Sequence, residues 1–180
     1  MSVYALRHAE KAGRDGVITP VGEAAARALR GVLPDFVSVY SSDLERAIVT
    51  VRLLTGMEPT VDPRAGFYMG HKEVGDTIYA LANDQGISFY EASLQYKNAA
   101  QLAGIAKQAA QFNQLVDELL ARPDKGDHLI VSHDLTISPA MVRRGMKPES
   151  IAFLSGYIID DVDRVSRFTP PPIVSTNSEA

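Results

Sequence analysis

Three short apolar runs, each followed by polar residues and then by a helix-forming stretch, limit what this chain can fold into. Residues 3–6, 36–40 and 128–131 are too short for buried helices and rich in Val, Ile, Leu and aromatic residues, so they read as buried strands. Strands separated by helices favour an α/β architecture with a parallel sheet covered on both faces. The expected fold is therefore a three-layer α/β/α sandwich with a mostly parallel central sheet. Sheets of this kind bind ligands beyond the carboxyl ends of their strands. Here the first end carries Arg7 and His8, the second leads through Ser41 and Ser42 into a helix bearing Arg46, and the third carries Ser132, His133 and Asp134.

The intervening segments carry their own signals. Thr19 as N-cap with Pro20 at the first helical position predicts a helix, whose face is Val21, Ala25, Ala28, Leu29 and Val32. Ser42 followed by Glu45 fits a capping box, with Leu44, Ala47, Ile48, Val51 and Leu54 as the buried face of the next helix. Residues 56–90 have no clear period; one helix is expected near 77–83, and a long irregular stretch of this kind suits a binding wall. Within it, His71 could touch substrate, whereas Phe67, Tyr68 and Tyr79 read as local packing. Residues 91–121 predict a helix broken near Gly104, and a further helix is expected from Thr136 or Ser138 to Arg144. Short strands are expected at 151–154, 156–159 and 164–168. Residues 1–168 read as a single domain and 169–180 as a Pro-rich, flexible tail.

Bulk properties remove several classes of function. A net charge of −4 argues against a broad nucleic-acid face, so no nucleic-acid partner is expected and any cationic site is local. With no cysteine, thiolate metal sites and Cys nucleophiles are excluded. No stretch is long and apolar enough to span a bilayer, and residues 1–6 enter a strand at once, so no membrane association and a cytoplasmic location are expected. The four His show no close zinc-type spacing, so neither a metal nor another cofactor is expected.

Two Arg and two His gathered at one sheet edge suit a phosphate dianion. Arg offers bidentate, charge-assisted bonds, and His serves as nucleophile or further donor near neutral pH. Taken singly, Arg7 could be a salt-bridged residue, His8 a loop His and Arg46 a surface cation. Their arrival at three strand ends together makes a common site the better reading.

These residues also resemble a known family. The segment Leu6-Arg7-His8-Ala9-Glu10 is similar to the Arg-His-Gly-Glu signature of the histidine phosphatase superfamily, which includes phosphoglycerate mutases and acid phosphatases. Ile18-Thr19-Pro20-Val21-Gly22 resembles its Leu-Thr-x-x-Gly helix start, and Ser41-Ser42-Asp43-Leu44-Glu45-Arg46-Ala47 its Ser-Ser-x-x-x-Arg-Ala segment, with Thr50 where a Thr often follows. Ile130-Val131-Ser132-His133 resembles the strand that ends in its second His. The motifs occur in the family's order up to about residue 160.

The resemblance implies a phosphoglycerate mutase-like fold and a metal-independent phosphatase acting on a phosphorylated small molecule or phosphoprotein. It makes His8 the nucleophile, and Arg7, Arg46 and His133 the holders of the phosphoryl oxygens. Ala9 replaces the signature Gly. Asp134 stands where mutase-like members usually carry Gly; a His-Asp pair resembles the acid phosphatase branch, in which the Asp donates the proton. Asp134 is therefore the expected general acid. Glu73, with Asp76 beside it, is the alternative by analogy with the mutase-like branch, whose donor is a Glu from the middle region. A mutase-like phosphotransferase and a non-catalytic phospho-ligand-binding module are the competing functions. Oligomeric state is open.

Overall fold

A computed structural model describes residues 1–13, 16–68, 70–147, 149–161 and 164–172. In chain order it contains β1 (Val3–Arg7), α1 (Pro20–Leu29), β2 (Phe36–Ser41), α2 (Glu45–Thr55), β3 (Thr60–Val61), a single 3-10 turn (Pro63–Ala65), α3 (Lys72–Gln85), α4 (Phe89–Tyr96), α5 (Ala99–Leu120), β4 (Asp127–Ser132), α6 (Asp134–Val142), β5 (Gly156–Asp161) and β6 (Arg164–Phe168). Among the described residues the strands form one six-stranded sheet in the order β3-β2-β4-β1-β5-β6. The first four of that order run parallel to their neighbours; β5 and β6 add antiparallel to the β1 edge.

Alternating side chains divide the core into two layers, as the period of a strand requires. Val3 and Ala5 of β1, Tyr40 of β2 and Ile130 of β4 pack with Phe112, Leu115 and Leu119 of α5 and with Ile137 and Met141 of α6. Leu6, Val39, Leu129 and Val131 face the other way, against Ala26 and Leu29 of α1 and Val51 and Leu54 of α2. Strands covered on both faces must be apolar almost throughout, which is why these runs are continuous. Each large side chain fully buried here stabilises the fold by about 1.5–3 kcal/mol. The expected three-layer arrangement is present.

Local rules explain three of the six α-helix starts among the described residues. Thr19 caps α1, its Oγ1 accepting from the Gly22 N–H at 3.0 Å. Ser88 and Glu91 form a reciprocal capping box at α4. Asn98 caps α5 through the Gln101 N–H.

Several expectations are corrected. Ser42 does not cap α2: the helix starts at Glu45 with Leu44 at the N-cap and no side-chain cap bond, and the Ser42 hydroxyl, two residues ahead, accepts from the Leu44 N–H at 3.4 Å and bonds to His133. The break in the 91–121 stretch falls at Lys97 and Asn98, not Gly104, since Lys97 takes a left-handed φ of 52° and Asn98 restarts the helix. Gly104 instead admits the Tyr68 ring: a Cβ there would lie 2.1 Å from a ring atom. Residues 151–154 are not a strand; they form an irregular segment that wraps Arg7, whose carbonyl accepts from the Leu154 N–H at 3.1 Å. The middle region contains the two-residue β3 and a 14-residue α3, more regular structure than its composition suggested. Helix α6 begins at Asp134, ahead of the expected Thr136. Of the Pro-rich tail, residues 169–172 have no regular structure, and 173–180 lie outside the described residues.

Candidate active site

The parallel core places the carboxyl ends of β2, β4 and β1 side by side. Arg7 pairs in register with Ser132, and Ser41 with Val131. His8 therefore leaves β1 next to the point where His133 leaves β4, and its N–H donates to the Ser132 carbonyl at 3.0 Å. The two imidazole centroids are 5.2 Å apart.

His8 is buried, 3% exposed, and its Nδ1 lies 2.8 Å from the Ala9 carbonyl. A carbonyl only accepts, so Nδ1 carries the proton and Nε2 keeps its lone pair. Burial, with the positive charges of Arg46, Arg7 and Lys11 adding to it, pushes the His8 pKa down to about 3. The ring is a neutral base at ordinary pH. His133 is likewise held well below its ordinary value, first by burial and then by His8, Arg46, Arg7 and Lys11. Its Nε2 lies 2.8 Å from the Ser42 hydroxyl.

The Arg7 guanidinium donates from Nη1 to the Ile151 carbonyl and stacks over Phe153, with Cζ 4.2 Å from the ring centroid. Its Nε is buried with no acceptor among the described residues. Such a donor is satisfied by an incoming anion. Arg46 comes from the first turn of α2, with Cζ 5.7 Å from the Phe67 centroid. Thr50, one turn on, joins two of these elements: its Oγ1 accepts from the Ala9 N–H at 3.0 Å and donates to the Arg46 carbonyl at 2.6 Å.

Asp134 opens α6 and is 8% exposed. Its Oδ1 accepts from the Ser138 hydroxyl at 2.7 Å and from the Ile151 N–H at 3.0 Å. Burial nevertheless raises its pKa, with Arg7 and the two hydrogen bonds opposing and Glu91 contributing in the same direction as burial.

All five expected site residues line one cavity of about 570 Å³. Lys11, Phe67, Tyr79, Phe89, Glu91 and Leu135 line it as well. Phe67 is carried to His133, at 4.7 Å between centroids, because the Ser132 and Thr136 hydroxyls donate to the Ala65 and Gly66 carbonyls. Phe67 and Tyr79 are thus wall residues, contrary to the packing role expected for them. Glu73 and Asp76 do not reach the cavity. Glu73 is exposed in the first turn of α3, and Asp76 pairs with Lys72 at 3.3 Å. His71 is the exposed N-cap of α3 and is also outside the cavity. His128 is a core residue bonded through Nδ1 to Ser38 at 2.7 Å. Among the described residues no group of three or more His, Asp or Glu is arranged to hold a metal ion, and no helix is long and apolar enough to cross a membrane.

A model of the histidine phosphatase superfamily (branch 1) matches residues 3–151. The chain belongs to the histidine phosphatase superfamily. Solved structures with the same fold include a phosphoglycerate mutase from Thermus thermophilus, 22% identical, with 95% of this chain and 100% of that one covered at a TM-score of 0.61. A phosphoserine phosphatase mutant from Entamoeba histolytica, in complex with phosphoserine, is 20% identical over 94% of this chain and 95% of that one, at a TM-score of 0.63. A phosphoglycerate mutase from Bacillus anthracis str. Sterne is 18% identical over 94% and 92%, also at 0.63. No curated protein matches the chain. Members of the superfamily are phosphatases or mutases, and the chain has the expected phosphoglycerate mutase-like fold.

Proposed function

We propose that this histidine phosphatase superfamily member hydrolyses a phosphomonoester through a phosphohistidine on His8. One observation carries the reading: a neutral His8, fixed through Nδ1, shares a cavity with Arg7, Arg46, His133 and the buried carboxyl of Asp134. In the first step His8 Nε2 attacks phosphorus in line, the N–P bond forms and the P–O bond to the alcohol breaks. The departing oxygen takes the proton of Asp134, whose Oδ1 is held by Ser138 and Ile151. Arg7 and Arg46 neutralise the non-bridging oxygens and His133, a neutral imidazole, adds a hydrogen bond to them, which is most of what a loose transfer requires. In the second step water attacks phosphorus, returns a proton to Asp134, and the N–P bond breaks to release orthophosphate.

The phosphoserine bound by the Entamoeba protein favours a phosphorylated small molecule as the substrate class. The phosphoglycerate mutase neighbours favour a second reading, in which the phosphoryl group passes to another alcohol instead of water. Turnover of p-nitrophenyl phosphate, with acid-labile phosphate trapped on His8, tests the hydrolytic reading. Its loss in His8→Ala supports the nucleophile; turnover that survives this change refutes it. Transfer to an added acceptor alcohol in preference to water would replace hydrolysis by the mutase reading.

A further inference from the structure

The cavity collects positive charge around His8, but its wall also carries, besides Asp134, a carboxylate to which the steps above assign neither a bond nor a proton. Glu91 lies in the first turn of α4 and lines the cavity together with Asp134. Its Oε2 accepts from the Ser88 N–H at 2.9 Å and completes the capping box of that helix. A glutamine at this position completes the same box without a charge. The α4 dipole favours a carboxylate there, and its charge adds to the rise in the Asp134 pKa, but either residue completes the cap, so the helix start does not by itself require a charge at position 91. Among the described residues Glu91 has no ion pair. The Ser88 contacts hold it below the usual carboxylate range, so it is an anion at neutral pH.

An anion in the wall of a cavity that receives a phosphoryl dianion works against binding, unless the substrate brings a positive charge of its own. The rest of this wall fits such a charge. Phe67 is taken up by His133 and Arg46 at the phosphoryl end, but Tyr79 and Phe89 line the same cavity as Glu91, and aromatic rings together with a carboxylate suit an ammonium group. At about 570 Å³ the cavity is far larger than a phosphoryl group, so it has room for the alcohol portion. We infer that Glu91 selects phosphomonoesters whose alcohol portion carries an ammonium group, with the phosphoryl group at His8 and the ammonium at Glu91. This rests on the phosphatase reading above and names its substrate class.

Phosphoethanolamine and propyl phosphate are near-isosteres that differ in an ammonium for a methyl, and they give the test. The wild-type protein is expected to prefer phosphoethanolamine in kcat/KM. Glu91→Gln, which keeps the capping box, is expected to reduce that preference at least tenfold, with propyl phosphate gaining. A preference absent in the wild type, or unchanged in Glu91→Gln, overturns the inference. Equal losses on both esters also overturn it and make Glu91 part of the chemistry. Should neither these esters nor p-nitrophenyl phosphate turn over, the phosphatase reading falls. Calorimetric binding of the same two esters to wild type and Glu91→Gln then decides the role of Glu91 separately: tighter binding of phosphoethanolamine that is lost in the variant supports it, and equal binding overturns it.

Discussion

Ser42 and His133 are hydrogen-bonded to each other, Oγ to Nε2, across 2.8 Å in the buried base of the cavity. The bond connects the end of β2 to the end of β4 and fixes the imidazole plane of His133. Removing the hydroxyl leaves the ring free to turn. Ser42→Ala is expected to lower kcat/KM by about tenfold, the effect of one hydrogen bond of about 1–1.5 kcal/mol. Because Ser42 does not cap α2, thermal stability should fall little, and Ser42→Thr should restore part of the activity. A large loss of stability with normal kcat/KM per folded molecule would show that Ser42 serves the fold instead.

His8→Ala removes the attacking nitrogen and leaves the cationic base in place. Turnover is expected to fall by at least about 10⁴-fold, as for other covalent nucleophiles. Phosphate binding, measured by calorimetry, should persist within about tenfold, since Arg7, Arg46 and His133 remain. Loss of binding together with turnover would mean that the substitution collapsed the site.

The same residue predicts a pH dependence of stability. His8 titrates near 3 in the folded protein and near its ordinary value of 6.5 when unfolded. His133 is shifted in the same direction. Below pH 6.5 the unfolded chain therefore binds protons that the folded chain does not, and stability falls as pH drops. Each buried His contributes a slope of roughly 1.4 kcal/mol per pH unit. Asp134 has the opposite sign: its raised pKa stabilises the fold at low pH and that contribution is lost as pH rises through it. Urea midpoints measured without phosphate should decline from pH 6.5 to 4.5, and less steeply in His8→Ala. Equal slopes in the two proteins would contradict the neutral, buried state of His8.

The strands and the residues at their ends were legible in the sequence because a buried parallel strand must be apolar throughout and must stop where its ligand begins. The Thr19 cap was legible because it is local. Ser42 fits the local rule, but the helix starts at Glu45 and the hydroxyl bonds to a tertiary partner, His133, ninety-one positions away. Glu73 and Asp76 stood nearest the expected place for an acid, yet α3 leaves Glu73 exposed and pairs Asp76 with Lys72. The carboxylate that does enter the wall, Glu91, carried only the signature of a helix cap. Phe67 reaches His133 through bonds from Ser132 and Thr136 to backbone carbonyls, which no side-chain pattern encodes.

Gly22 marks the contact that holds the Arg7-His8-Ala9-Glu10 segment against α1. A Cβ at this position would lie 2.5 Å from the Glu10 carbonyl oxygen and 2.9 Å from the Glu10 nitrogen. Thr19 reinforces the contact, its N–H donating to the Glu10 carbonyl and its Oγ1 to Glu10 Oε1. Gly22→Ala should destabilise the protein by about 1–3 kcal/mol, the usual effect of forced overpacking, and lower kcat through displacement of His8. Unchanged melting temperature and activity would show that the segment yields without effect.

Asp134 offers the most discriminating substitution, because its proposed task depends on the leaving group. A buried carboxyl with a raised pKa holds its proton into the range where His8 is already neutral, so both partners of the first step are in the required state together. An alkyl alcohol leaves as an alkoxide unless it is protonated, whereas p-nitrophenol leaves unaided. Asp134→Asn should therefore slow alkyl phosphates by about 10²–10⁴-fold and p-nitrophenyl phosphate far less. The alkaline fall in kcat/KM for alkyl phosphates, which reports loss of the Asp134 proton, should vanish in the variant. Asparagine can still accept at Oδ1 from Ser138 and Ile151, so the fold is expected to survive. Equal losses on both esters would assign Asp134 to holding residues 149–151 and Arg7, and would leave the proton of the leaving group to another donor.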